Sequence, residues 1–201
     1  LKPDFDKCEK AATRLLLKQN IHSLRIDVRS LVYDKKIFFD SIQNYCKVTN
    51  ASLSEFIGIC NGALKDGFTL ERIKNCSIIY IVLYNDEIGN RERLNWTLAH
   101  EVGHIYLDHK SDGPQQEIEA HFFATQLLMP EVVILYLARR NNGIGAEELC
   151  DLFDVSFEAA CKRINTLNHK YSYFYGQEEK ELLSKYSPLI NNSLYPVYNA
   201  I

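Results

Sequence analysis

The chain is 201 residues long, 46% hydrophobic and 24% charged, with a formal net charge of −3. That size fits one domain with a small appendage, and the composition excludes disorder over most of the length. The charge excludes a basic nucleic-acid footprint at the whole-chain level, and apolar runs such as Ser77–Tyr84 and Phe122–Met129 fall far short of the roughly 18 residues that span a bilayer.

In chain order, Phe5, Cys8, Ala12, Leu15, Leu16 and Gln19 recur at three- and four-residue steps and predict an amphipathic helix over residues 5–20. Ile26–Tyr33 reads as a second, short helix and Lys36–Asp40 as an extended segment. Ser52 or Ser54 caps a helix through Cys60, which Asn61-Gly62 ends. Ser77–Tyr84, rich in β-branched and aromatic residues, is the clearest strand, and Asn85–Asn90 is a polar turn. Arg91–His109 and Gln115–Met129 predict two long helices, separated by a connector whose Gly113 and Pro114 cannot continue either. Pro130 ends the second of these, and Glu131–Arg140 forms another, closed by Asn141-Asn142-Gly143. Ala146–Phe153 and Ser156–Leu167 are two short helices about a tight turn at Asp154-Val155. Residues 170–201 hold six tyrosines and one helix near Gln177–Tyr186.

Cysteines stand at 8, 46, 60, 76, 150 and 161, with no C-x-x-C pair among them. Neither a zinc ribbon nor a thioredoxin-type motif is therefore present. The charged N-terminal stretch lacks the apolar run of a secretory signal, so the thiols are read as reduced and the compartment as cytoplasmic.

Chemistry concentrates at Leu98-Ala99-His100-Glu101-Val102-Gly103-His104, which contains H-E-x-x-H. Helix positions i and i+4 differ by about 40°, so both imidazoles leave one face toward a single ion. Glu101 is placed to take a proton from a metal-bound water. Zinc suits this set, with manganese as the alternative, because neutral imidazole and carboxylate bind zinc while leaving one position open. Leu94, Leu98, Val102 and Ile105 lie opposite the histidines and form the anchoring face. The bland reading is a buried helix with two satisfied histidines.

A third ligand has to come from elsewhere. In the pattern H-E-x-x-H-x-x-G-x-x-H, the Gly and last His fall where this chain has Leu107 and Lys110. His109 is one residue early and projects about 180° from His100, as a surface or core histidine rather than a ligand. The next helix offers Glu117 and Glu119, about 200° apart, so only one faces the metal. Glu117 shares a stripe with His121, Ala124 and Leu128, and the small Ala124 permits close approach to the metal helix. Glu119 points away beside Phe122 and Gln126. Glu117 is the preferred ligand.

His100-Glu101-Val102-Gly103-His104, followed by Glu117-Ile118-Glu119-Ala120-His121-Phe122-Phe123-Ala124 and Leu127-Leu128-Met129-Pro130, resembles the ImmA/IrrE family of metallopeptidases. Members of that family follow H-E-x-G-H with a Glu-led helix ending in L-L-M-P. The similarity covers roughly residues 75–168, including Asn85–Leu98 ahead of the metal helix and Ile144–Arg163 behind it. The resemblance implies that His100, His104 and Glu117 are ligands and Glu101 the general base. The family usually has Asn or Asp where this chain has His121. A small polar residue there suits orienting His100 or His104 through its other ring nitrogen, and His121 is a candidate for that work, for assisting the oxyanion, or for competing for metal. The resemblance also implies an intracellular protease that cuts a helix-turn-helix repressor in stress or mobile-element regulation.

Oxyanion stabilisation needs a further donor. Tyr80, Tyr84, Tyr106 and His121 are all candidates, and the sequence does not choose. Two other readings compete with a zinc endopeptidase. One is a DNA-binding regulator using the helix pair at 145–168, where Lys162, Arg163, His169 and Lys170 add positive charge. Glu147, Glu148, Asp151, Asp154 and Glu158 argue against phosphate contact there. The other is a metal-containing module with a silent site, acting on a repressor or on DNA. The expected fold is α+β, a small β-sheet packed on a two-helix zinc-binding core with a helical C-terminal portion. Residues 1–140 form the zincin-like domain, 141–170 a helical appendage and 171–201 a tyrosine-rich tail, either surface packing or a plug over the cleft. Ser77–Tyr84 is expected to offer its edge to an extended peptide.

Overall fold

A computed structural model describes residues 2–54, 56, 66–111, 113–168 and 175–192. The fold is α+β. Helix α1 (Phe5–Leu17) starts where the Asp4 side chain accepts the Lys7 N–H, and buries Cys8, Ala12, Leu15 and Leu16 on one face. The expected helix over Ile26–Tyr33 is reduced to a single 3-10 turn at Val28–Ser30. Asn95 explains the difference: its amide accepts the Val28 N–H and donates to the Ile26 carbonyl, so these backbone groups are satisfied without a helix.

Strand β1 (Lys36–Ser41) runs directly into helix α2 (Ile42–Thr49), which Ser41 caps by accepting the Asn44 N–H and left-handed Asn50 ends. The helix expected from Ser52 or Ser54 to Cys60 falls largely outside the described residues. Strands β2 (Gly67–Lys74) and β3 (Ser77–Tyr84) form a hairpin. Its two-residue turn, Asn75-Cys76, has positive φ at both positions, the conformation that matches the strand twist. The sheet order is β1-β3-β2, with β1 parallel and β2 antiparallel to β3. Ser77–Tyr84 is thus the central strand with both edges paired. The edge expected of it belongs to β2.

Adjacent residues of β3 face opposite ways. Val82 enters the main core, whereas Leu83 packs with Ile42, Cys46 and Phe56 in a satellite cluster. On the main-core side lie α3 (Arg91–Leu107) and α4 (Pro114–Leu128). Pro114 opens α4 at its first position, where the missing N–H costs nothing. Helices α5 (Glu131–Arg140), α6 (Ala146–Phe153), α7 (Phe157–Asn168) and α8 (Gln177–Asn192) complete the C-terminal part. Buried residues of α6–α8, among them Leu149, Phe153, Ala160 and Tyr186, join the same cluster as Leu16 of α1, Val102 of α3 and Phe123 of α4. The five described cysteines are all unpaired, and Cys60 lies outside the described residues. Among the described residues, no single helix is long and apolar enough to cross a membrane.

Candidate active site

Two glycines let the elements around the site approach one another. A Cβ on Gly103 of α3 would stand 3.1 Å from Phe123 Cδ1, 3.2 Å from the Ala120 carbonyl and 3.3 Å from Ala120 Cα, so α3 and α4 meet at Gly103 and Ala120. A Cβ on Gly67 would stand 2.7 Å from Thr97 Cγ2 and 3.0 Å from the Leu83 carbonyl, so the start of β2 lies against α3.

That packing brings the predicted residues together. His100 Nε2 and His104 Nε2 are 3.0 Å apart. Glu117, from the first turn of α4, places one oxygen 3.3 Å from His100 Nε2 and the other 3.5 Å from His104 Nε2. Ligand atoms held at about 2.0–2.1 Å from a tetrahedral zinc lie roughly 3.3 Å apart, so the triangle fits such an ion. Glu119, two residues on, faces elsewhere.

Glu101 is 9% exposed, and its Oε2 accepts a hydrogen bond of 2.8 Å from the Thr69 hydroxyl of β2. Neither β2 nor Thr69 was legible as part of the site. The polar, half-exposed strand lacks the continuous apolar run that marks β3. Thr69, His100, Glu101, His104 and Glu117 all line a cleft of about 540 Å³, bounded by β2 on one side and by α3 and α4 on the other, and Glu119 does not. Two imidazoles and two carboxylates converging in one cleft are side chains that could hold a divalent metal.

Residues 63–165, just over half of the chain, match the family model described as the IrrE N-terminal-like domain, a peptidase family. The chain belongs to this family. No curated protein and no solved structure matches it. Membership of the IrrE N-terminal-like family carries a metallopeptidase-type function, and a set of side chains able to hold a metal is present in this member.

His121 stands on the cleft side. Its ring is 4.5 Å from that of His100, and its donor atom falls with those of His100 and Glu117 in a group spanning no more than 4.8 Å. Burial lowers its pKa, partly opposed by Glu117. On the other ring nitrogen of His104 lies His109, with Nδ1 to Nδ1 at 3.1 Å. Helical projection misplaces this residue because α3 ends at Asp108, whose φ of 59° turns the chain left-handed and folds His109 back beside His104. His109 Nε2 lies 3.0 Å from Glu119 Oε2, and Glu119 Oε1 accepts from Gln115 Nε2 and the Asp4 N–H, each at 2.9 Å. Burial works to raise the Glu119 pKa, but these hydrogen bonds together outweigh it and hold the group below its usual value.

Of the four groups raised as oxyanion donors, Tyr80 and His121 line the cleft. Tyr106 instead donates its hydroxyl to Asp34 at 2.6 Å, and Tyr84 sits opposite Gly67 in the sheet. Arg163, counted in the sequence among local positive charges, is only 1% exposed and turns into the core. His169 and Lys170 lie outside the described residues.

Proposed function

We propose that the chain is a zinc-dependent endopeptidase in which His100, His104 and Glu117 hold the metal and Glu101 is the general base. The observation that carries this reading is the 3.0–3.5 Å triangle of Nε2 atoms and carboxylate oxygens beside a nearly buried Glu101. Zinc held by His100, His104 and Glu117 would supply acidification of a water and polarisation of a carbonyl. Glu101 would act as the base that accepts the proton and passes it to the leaving amine. The Thr69 hydroxyl donates to Glu101 Oε2, and Glu101 lines the cleft. The outer edge of β2 can pair with an extended substrate, since β2 is the edge strand lining the cleft. Tyr80 and His121 are the cleft-lining groups suited to the developing oxyanion.

The substrate proposed is an intracellular helix-turn-helix repressor, cleaved in the cytoplasm in stress or mobile-element regulation. This follows from what the family resemblance implies. Profiling new protein N-termini in cells expressing wild type or Glu101→Gln tests it. A cleavage site found only with wild type, in a repressor-like protein, is the expected result. One observation favours a second reading. His121 lies close enough to His100 and Glu117 to act as a further ligand, and four protein ligands would close the site as in structural zinc centres. A silent binding module then predicts identical N-termini in both strains, with metal bound.

A further inference from the structure

His104 has two ring nitrogens, and only one faces Glu117 and His100. The other, Nδ1, begins a row of hydrogen-bonding atoms inside the protein: His104 Nδ1 to His109 Nδ1, His109 Nε2 to Glu119 Oε2, and Glu119 Oε1 to the Asp4 and Gln115 N–H groups. His109 and Glu119 have side chains only 6% and 7% exposed.

The direction of each bond follows from the ends of the row. A neutral imidazole carries one N–H and one lone pair. The Glu119 carboxylate only accepts, and two N–H groups already point at its Oε1. Its Oε2 therefore takes the hydrogen on His109 Nε2, which leaves His109 Nδ1 as a lone pair. That lone pair can only be answered by a hydrogen on His104 Nδ1. His104 Nε2 is then the unprotonated nitrogen, 3.5 Å from Glu117 and 3.0 Å from His100 Nε2. Metal binding requires that arrangement, because a ligating imidazole gives the ion its lone pair.

We propose that His109 and Glu119 are positioning residues that fix His104 in the tautomer presenting its Nε2 lone pair to the metal. This rests on the reading of His104 as a ligand. The row also joins separate parts of the chain at the site. Asp4 begins α1, Gln115 and Glu119 belong to α4, and left-handed Asp108 places His109.

Glu119→Gln is the sharpest variant. With its oxygen held by Asp4 and Gln115, the Gln amide turns its NH2 toward His109 Nε2. The two bonds made by His109 then reverse, and the hydrogen moves to His104 Nε2. His109→Phe fills similar space and removes the acceptor for His104. Zinc affinity, measured by competition with a chromophoric chelator, is expected to fall ten- to a hundredfold in both, with far-UV circular dichroism of the metal-free proteins unchanged. His104→Ala serves as the reference for losing the ligand itself.

Wild-type affinity in folded Glu119→Gln and His109→Phe, with binding lost in His104→Ala, would overturn the relay and leave the metal site standing. Undiminished binding in His104→Ala would overturn the site first. Should either relay variant fail to fold, long-range 1H–15N spectra of the zinc-loaded wild type decide. His109 is expected to carry its hydrogen on Nε2, and a hydrogen on Nδ1 would refute the row.

Discussion

The proposed general-base role requires Glu101 to keep a carboxylate oxygen available at the cleft from a nearly buried position. The Thr69 hydroxyl donates to Glu101 Oε2 at 2.8 Å. Thr69→Val keeps the shape of the side chain and removes that donor. A hydrogen bond to a charged group contributes about 1.5–3 kcal/mol, and losing it removes part of the carboxylate's orientation. Thr69→Val is therefore expected to lower kcat for peptide hydrolysis by about tenfold while leaving zinc affinity unchanged. Equal kcat would show that Thr69 does not steer Glu101. The pair is separated by 32 residues, and no local pattern announces it. The spacing of His100, Glu101 and His104, by contrast, is local to one helical turn, which is why it can be read directly from the chain.

At the level of elements, what the sequence conceals are the points where regular periodicity stops. Ser77–Tyr84 and the helices carrying the H-E-x-x-H and Glu117 segments are legible because their apolar patterns are long. Edge strand β2 is not, because half of it faces solvent and Ile73 is 78% exposed. His109 is invisible to a helical wheel because Asp108 breaks the helix immediately before it. Ala124 is the small residue the sequence offers for the close approach of α3 and α4, but Gly103 against Ala120 is the contact that lacks room for one more carbon. Gly103→Ala tests how rigid that contact is. Alanine returns roughly 1 kcal/mol of helix propensity, whereas overpacking against backbone costs about 1–3 kcal/mol. A net loss of about 1 kcal/mol in urea unfolding is expected. Zinc affinity should fall about tenfold, because any shift between the helices separates Glu117 from the histidines. A more stable protein with wild-type affinity would mean that Ala120 and Phe123 yield without cost.

Across the whole molecule, the C-terminal helices are tied to α4, which carries Glu117, by a buried guanidinium. Arg163 of α7 donates through Nε and NH2 to the Met129 carbonyl, at 3.2 and 2.9 Å, and through NH2 to Gln126 Oε1 at 2.6 Å. Met129 follows the last residue of α4, where backbone carbonyls lack helical partners and a cation is favoured. Burying the charge costs several kcal/mol, and these bonds offset it only while all are made. Arg163→Met keeps the aliphatic stem and abandons both acceptors, so a loss of about 3 kcal/mol is expected. The site should sense it, since Glu117 lies on the same α4. Trp96, the one tryptophan in the sequence, lines the cleft and reports there, whereas far-UV circular dichroism reports all the helices. Because residues of α6–α8 share a cluster with Val102 and Phe123, the two signals should move together to lower urea. A Trp96 transition left at its wild-type midpoint, with only part of the dichroism shifted, would instead make residues 141–170 an appendage that unfolds by itself, and Arg163 a local clasp.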